Sequence, residues 1–207
     1  MRFRSLWLCL AAVLLAGCQM FSGTRMEEVS AQKAMPATLD KVLLVGITTT
    51  PQVQADMEQA FAHEFRKRRR EVLLASRMFP GDKQPLREEV MQRVKAEGVT
   101  GVLVVRLLSY ELGAESGPES GFSLHAPARD PGTRVGWEPE PGSVGAPPGA
   151  AAAPGAKALV ESRIYDVASG QVVWQGRSRS VVKSDARREL EGFVATVMRE
   201  LRRSGWL

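Results

Sequence analysis

The run KVLLVGI, Lys41 to Ile47, decides the fold. It is continuously apolar over the length of one strand, the pattern of a strand covered on both faces. Thr48-Thr49-Thr50-Pro51 follows at once and reads as a helix start. Thr50 is placed to cap it and Pro51 stands at the first helical position, where a missing N–H leaves nothing unsatisfied. Val53, Met57, Phe61 and Phe65 then recur every fourth residue with Ala60 beside them, one apolar stripe of a helix.

Working toward the C-terminus, Val72 to Ala75 is a second short strand, and Phe79-Pro80-Gly81-Asp82 is turn chemistry. Leu86, Val90, Met91 and Val94 mark a second helix, ended by Gly98 in the role of a C-cap glycine. Gly101 to Tyr110 (GVLVVRLLSY) is a third strand, again nearly all apolar. Right-handed crossovers make these three strands parallel, with the first in the middle.

Residues 114–157 break the pattern. Of these 44 residues 8 are Gly and 8 are Pro, too few apolar groups to offset the entropy of ordering, so a disordered insertion between two strands is expected. Phe122, Leu124 and Trp137 are scattered through it and read as isolated apolar residues rather than a recognition motif. Ala158 to Val167 and Gln171 to Val182 are two more strands, joined near Ser169-Gly170 in a hairpin. A two-residue loop would set Tyr165 against Trp174 and Val167 against Val172; a longer loop shifts that register. Leu190, Phe193, Val194, Val197 and Leu201 form a last amphipathic helix with Ser184 as the expected cap. The expected fold is α+β, a two-layer or three-layer sandwich. It has a mixed sheet of about five strands in the order β-α-β-α-β-β-β-α, the fourth and fifth a hairpin, and three helices.

Toward the N-terminus, residues 18–40 are polar and aperiodic and read as a flexible tether. Before them come Arg2 and Arg4, an apolar run from Leu6 to Ala16, and Leu15-Ala16-Gly17-Cys18. A basic start and a short apolar core make an export signal over residues 1–17. The run is shorter than the roughly 20 apolar residues of a membrane span. Its last four residues resemble the bacterial lipobox, in which the cysteine is lipidated. That resemblance implies a lipid on Cys18, such as palmitate, and membrane attachment through it. Gln19, where an aspartate would imply retention at the inner membrane, implies the periplasmic face of the outer membrane.

The rest of the composition excludes more than it assigns. The formal net charge is +5, and removing Arg2 and Arg4 with the signal leaves +3, too mild to imply nucleic acid. Cys9 lies in the signal and Cys18 is the lipid site, so no cysteine is left for a disulfide. His63 and His125 are the only histidines, which leaves no His/Cys metal site, and no cofactor is indicated. No serine stands in a Gly-x-Ser-x-Gly elbow, and Gly46 alone is no phosphate loop. Glu88 and Glu89 diverge on a helix instead of pairing. No catalytic residue is assigned, and a non-enzyme is expected.

One surface feature stands out. Arg66, Lys67, Arg68, Arg69 and Arg70 end the first helix. Cations at a helix C-terminus complement its dipole and are ordinarily just solvated. Five adjacent bases exceed what a helix end requires, so they are carried as a candidate anion-binding set for lipid, lipopolysaccharide or cell wall.

Taken together, the lipobox, KVLLVGI with its Pro-initiated helix, GVLVVRLLSY and ESRIYDVASGQVVWQGRSRS (Glu161 to Ser180) resemble a group of small bacterial lipoprotein domains. The group is similar to domains in the curli-secretion lipoprotein, in lipoprotein activators of penicillin-binding proteins, and at the start of the Tol-system propeller protein. The resemblance spans residues 41–112 and 158–203 and transfers no catalytic residue. It implies a non-catalytic binding or assembly module of the cell envelope, with an envelope protein or the cell wall as partner. The alternatives are a cell-wall hydrolase or transferase, or an auxiliary subunit of an export or lipid-transport system.

Overall fold

The computed structural model describes residues 23–31, 39–48, 51–80, 87–111, 155–181 and 185–207. In chain order these form β1 (Thr24–Ala31), β2 (Lys41–Ile47), α1 (Pro51–Lys67), β3 (Glu71–Leu74), α2 (Ala75–Met78), α3 (Arg87–Ala96), β4 (Gly101–Glu111), β5 (Lys157–Asp166), β6 (Val172–Val181) and α4 (Ala186–Arg203). One mixed sheet runs β1-β6-β5-β4-β2-β3. β2 is parallel to both β3 and β4 and lies between them, as the crossover rule requires; the remaining pairs are antiparallel.

The two faces of the sheet are covered unequally. On one, Val42, Leu44, Leu103, Val105, Ile164 and Trp174 pack under α1 and α4. Phe61 of α1 meets Phe193 of α4 edge to face, ring centres 5.7 Å apart. On the other, Leu43, Val102, Val104 and Tyr165 pack with Val90 and Val94 of α3. β2 and the first half of β4 are therefore buried on both sides, which is why their sequences are unbroken apolar runs. Among the described residues three layers lie over β2, the first half of β4 and the Tyr165 end of β5, and two over the rest of β5, β6 and β1.

The structure corrects the sequence reading at several points. Eight residues of the presumed tether, Thr24–Ala31, are the edge strand β1, which makes six strands instead of five. Only Thr24 is buried and Met26 packs against the core, while a bulge between Met26 and Glu28 breaks the period of two. An edge strand with one bulge and one solvated face carries almost no hydrophobic signature. The fourth helix is the single turn α2. The insertion ends earlier than expected, since Ala156 is buried and Lys157 opens β5.

The β5–β6 hairpin takes the longer loop: Tyr165 faces Val172 and Ile164 faces Trp174. Asp166 is the cause. Its Oδ2 accepts from the Ser169 N–H at 2.8 Å and the Ser169 hydroxyl at 2.6 Å, and its own N–H donates to the Gln171 carbonyl at 3.0 Å. Gly170 closes this loop at a φ of 69°, which glycine adopts without strain. α4 is capped by Asp185, whose Oδ1 accepts from the N–H groups of Arg187 and Arg188 at 3.0 and 3.3 Å, and not by Ser184, which lies outside the described residues. On α1, Val53 is exposed while Glu58 and Ala62 are buried with Met57, Phe61 and Phe65. A strict every-fourth-residue row drifts around a helix, so Val53 stands about 120° from Phe65.

Candidate functional site

The sequence offered no catalytic constellation. The structure instead brings together two groups of polar residues that sequence spacing does not connect. Each is built around a buried glutamate.

The first is Glu58 on α1, 1 % exposed. One carboxylate oxygen accepts from the Gly46 N–H at 3.1 Å and the Gln54 side-chain amide at 3.0 Å. The other accepts from the N–H of Ser76 at 3.0 Å and its hydroxyl at 2.6 Å. Four donors meet the four lone-pair positions of one carboxylate. Among the described residues no cation pairs with it. The glutamate ties the end of β2 to α1 and α2. Gly46 permits the approach, because a Cβ there would stand 2.8 Å from Met57 Cε and 3.1 Å from Gln54 Cγ.

The second lies on the opposite face, on the half that α3 does not reach. Arg106, Glu161, Arg177 and Glu28 stand directly opposite one another across β4, β5, β6 and β1, a row of alternating charge. Arg163 is one step along β5, opposite Gln175. Glu161 is 3 % exposed, Arg106 18 % and Arg163 16 %. Arg106 Nη2 approaches Glu161 Oε2 at 3.2 Å; Arg163 Nη2 reaches Oε1 at 3.0 Å, and Arg177 Nε lies 3.5 Å from Oε1. The Gln175 amide donates to the same Oε1 at 3.2 Å. Further out, Arg177 pairs with Glu28 at 3.3 Å and Arg179 with Glu27 at 2.9 Å, all near the solvent. The Nε groups of Arg106, Arg163 and Arg177 are buried without a hydrogen-bond acceptor. The Tyr165 hydroxyl lies beside Arg163 and also completes no hydrogen bond of ordinary geometry.

This cluster sets more guanidinium donors than carboxylate acceptors side by side. Three guanidiniums are held in place by one carboxylate, and their remaining N–H groups are in excess. Only the alternation of polar residues in ESRIY and QGRSR hints at it in the sequence. Which residues meet depends on strand order and register across the long insertion.

The basic run at the end of α1 is arranged differently. Lys67 and Arg68 both pair with Glu64, at 2.7 and 2.9 Å, and Arg70 pairs with Asp40. Burial opposes the charge on Glu64, but the hydrogen bonds from Lys67 and Arg68 are the larger effect and hold its carboxyl below the ordinary value. Arg69 adopts a φ of 60°, the left-handed turn that ends the helix. Arg66 and Arg69 have no ion-pair partner among the described residues. His63 is exposed, with no hydrogen bond or ion pair among the described residues. Cys18 and the whole export signal, as well as Phe122, Leu124, His125 and Trp137, lie outside the described residues. Among the described residues no helix is long and apolar enough to cross a membrane, and no group of His, Cys, Asp and Glu could hold a metal ion.

No family model and no curated protein matches this chain. Among solved structures it is similar to the PelC dodecamer from Paraburkholderia phytofirmans, at 14% identity over 84% of this chain and 94% of that one, with a TM-score of 0.47. A variant of the same PelC protein gives 16% identity over 84% of this chain and 95% of that one, TM-score 0.44. The lipoprotein GNA1162 from Neisseria meningitidis gives 12% identity over 79% of this chain and 96% of that one, TM-score 0.42.

Proposed function

We propose that this chain is a lipoprotein of the periplasmic face of the outer membrane, anchored through Cys18. In this reading it is a non-catalytic binding or assembly module, and its contact surface is the open, charged half of the sheet. Location rests on Leu15-Ala16-Gly17-Cys18 closing an export signal, with Gln19 after the cysteine. The observation that carries the binding half is the row Arg106–Glu161–Arg177–Glu28 on a sheet face that no described helix covers. A sheet face with nothing to contact would need only scattered solvated charges. It would have no use for two guanidiniums of low exposure gathered on one buried carboxylate. The partner is an envelope protein or the cell wall, and the loose bases Arg66 and Arg69 are a secondary contact for anionic envelope polymers.

Two measurements test this. Cys18→Ser should abolish incorporation of a labelled fatty acid in growing cells; equal label in mutant and parent would remove the anchor. A photo-crosslinking residue placed at Gln175, on the charged face, should yield a discrete adduct in intact cells. The same residue at Glu191, on the outer side of α4, should not. Identical adduct patterns from both positions would remove the charged face as the contact surface.

A further inference from the structure

The charged face has more donors than it can use. Three guanidiniums carry fifteen N–H groups, while the carboxylate they share offers about four acceptor positions, one of them taken by Gln175. Arg106 and Arg163 each commit one Nη2 to Glu161, and their Nε groups have no acceptor. Charge tells the same story. Glu161 balances one of the three cations, and Glu28, 68 % exposed, pairs weakly with Arg177 through solvent-screened charge. Glu27 is occupied by Arg179.

We infer that the Arg106–Arg163–Arg177 cluster is a docking site for an acidic polypeptide segment of a partner protein, its carboxylates received by the guanidinium groups around Glu161. This rests on the binding-module reading above and names its partner chemistry. Guanidinium forks match carboxylates edge to edge, and Glu161 already shows that these arginines accept one. The excess charge left on the cluster, about one unit after Glu161 and Glu28 are counted, is that of a carboxylate monoanion. The rows of Glu161 and Arg163 are two residues apart along β5, about 7 Å, which is also the spacing of every second side chain of an extended peptide. A bilayer surface is excluded by shape. Arg106 and Arg163 are 18 % and 16 % exposed, within reach of a side chain and not of a plane of headgroups.

The test uses the full-length protein in a non-ionic detergent and a fluorescein-labelled hexaglutamate peptide, followed by fluorescence anisotropy at fixed ionic strength. Hexaglutamate should bind and hexaglutamine should not. Arg163→Gln should weaken binding by about fivefold or more, and Arg163→Lys should also weaken it, because an ammonium keeps the charge but loses the fork. Arg187→Gln, on α4 over the opposite face of the sheet, should leave binding unchanged. Should Arg163→Gln melt below the assay temperature, Arg106→Gln takes its place, with the same expected loss. Parent-like binding by the Arg163 variant, or an equal loss in Arg187→Gln, overturns the inference. So does competition by inorganic phosphate at concentrations well below those of acetate, which would make the site a phosphate receptor. Failure here with a face-specific crosslink in cells leaves the binding-module reading standing and removes only its acidic partner. Loss of the face-specific crosslink as well would remove both.

Discussion

Glu58 and Glu161 are buried to nearly the same degree, on opposite faces of one sheet, yet they are satisfied in opposite ways. Glu58 is held by four neutral donors, two of them backbone N–H groups, in a site enclosed by β2, α1 and α2. Supply equals demand, nothing is left over, and the glutamate joins elements together. Glu161 is held by three guanidiniums whose side chains keep some exposure to solvent, while their buried Nε groups have no acceptor. The first arrangement can only stabilise. The second leaves its guanidiniums partly exposed on the open half of the sheet, where the proposed contact surface lies. The difference lies in what surrounds each carboxylate, since burial alone would class the two together.

The largest effect is expected at Glu58. Glu58→Ala leaves the Gly46 and Ser76 N–H groups buried without acceptors and opens space beside Met57, at a cost of about 3 kcal/mol or more. Glu58→Gln should cost less, about 1–3 kcal/mol, because its amide nitrogen must face a donor. Both losses, read from urea unfolding midpoints, should be the same at low and high salt, since no ion pair is broken. A Glu58→Ala midpoint equal to the parent's would show that α2 is not tied down through this carboxylate.

How much of this was legible beforehand follows from the same contrast. β2 and β4 declared themselves because burial on both faces leaves only apolar residues, and the parallel core with β2 between β3 and β4 followed from handedness. Phe61, Phe65, Phe193 and Leu201 were evident from the helical spacing of their apolar stripes. β1 was not, because TRMEEVSA is an edge strand whose one bulge cancels the alternation. Neither glutamate could be read. Glu58 sits among polar helix residues, and its ligands come from β2 and α2, 12 and 18 positions away. Arg106 and Glu161 are 55 residues apart, on either side of the insertion, and meet only through the β4–β5 register. The basic run was conspicuous in sequence because its charges are adjacent, whereas pairing with Glu64 and Asp40 occupies three of the five.

A middle-sized effect should distinguish the second site from the first. Glu161→Gln removes the anion that organises three guanidiniums, and their mutual repulsion should cost about 1–2 kcal/mol, discounted because the arginines reach water. This loss should shrink when salt is raised from 0.05 to 0.5 M, as screening relieves the repulsion. The measurement is the difference in unfolding midpoint between parent and variant at the two salt concentrations. If Glu161→Gln proved as indifferent to salt as Glu58→Ala, the two carboxylates would be doing the same job and the contrast would collapse.

The smallest effect belongs to a third carboxylate, Asp166, which lies between the two cases: buried like them, but tied only to its own loop. Burial works to raise its pKa, but the Ser169 hydroxyl and the Ser169 and Ala168 backbone N–H groups outweigh that and hold it below the ordinary aspartate value. The sign of the pH dependence follows. The unfolded chain takes up this proton near pH 3.9, and the folded chain only at lower pH. The stabilisation is therefore fully present above about pH 4 and fades as pH falls through the folded value. Asp166→Asn keeps one acceptor oxygen but loses the charge on it, and should cost about 0.5–1.5 kcal/mol at pH 7. The gap between parent and Asp166→Asn in melting temperature should hold steady from pH 7 to pH 5 and then close as the pH is lowered below 4. A gap that stayed constant through that range would mean that the loop is set by Gly170 and the backbone alone, with no contribution from the carboxylate charge.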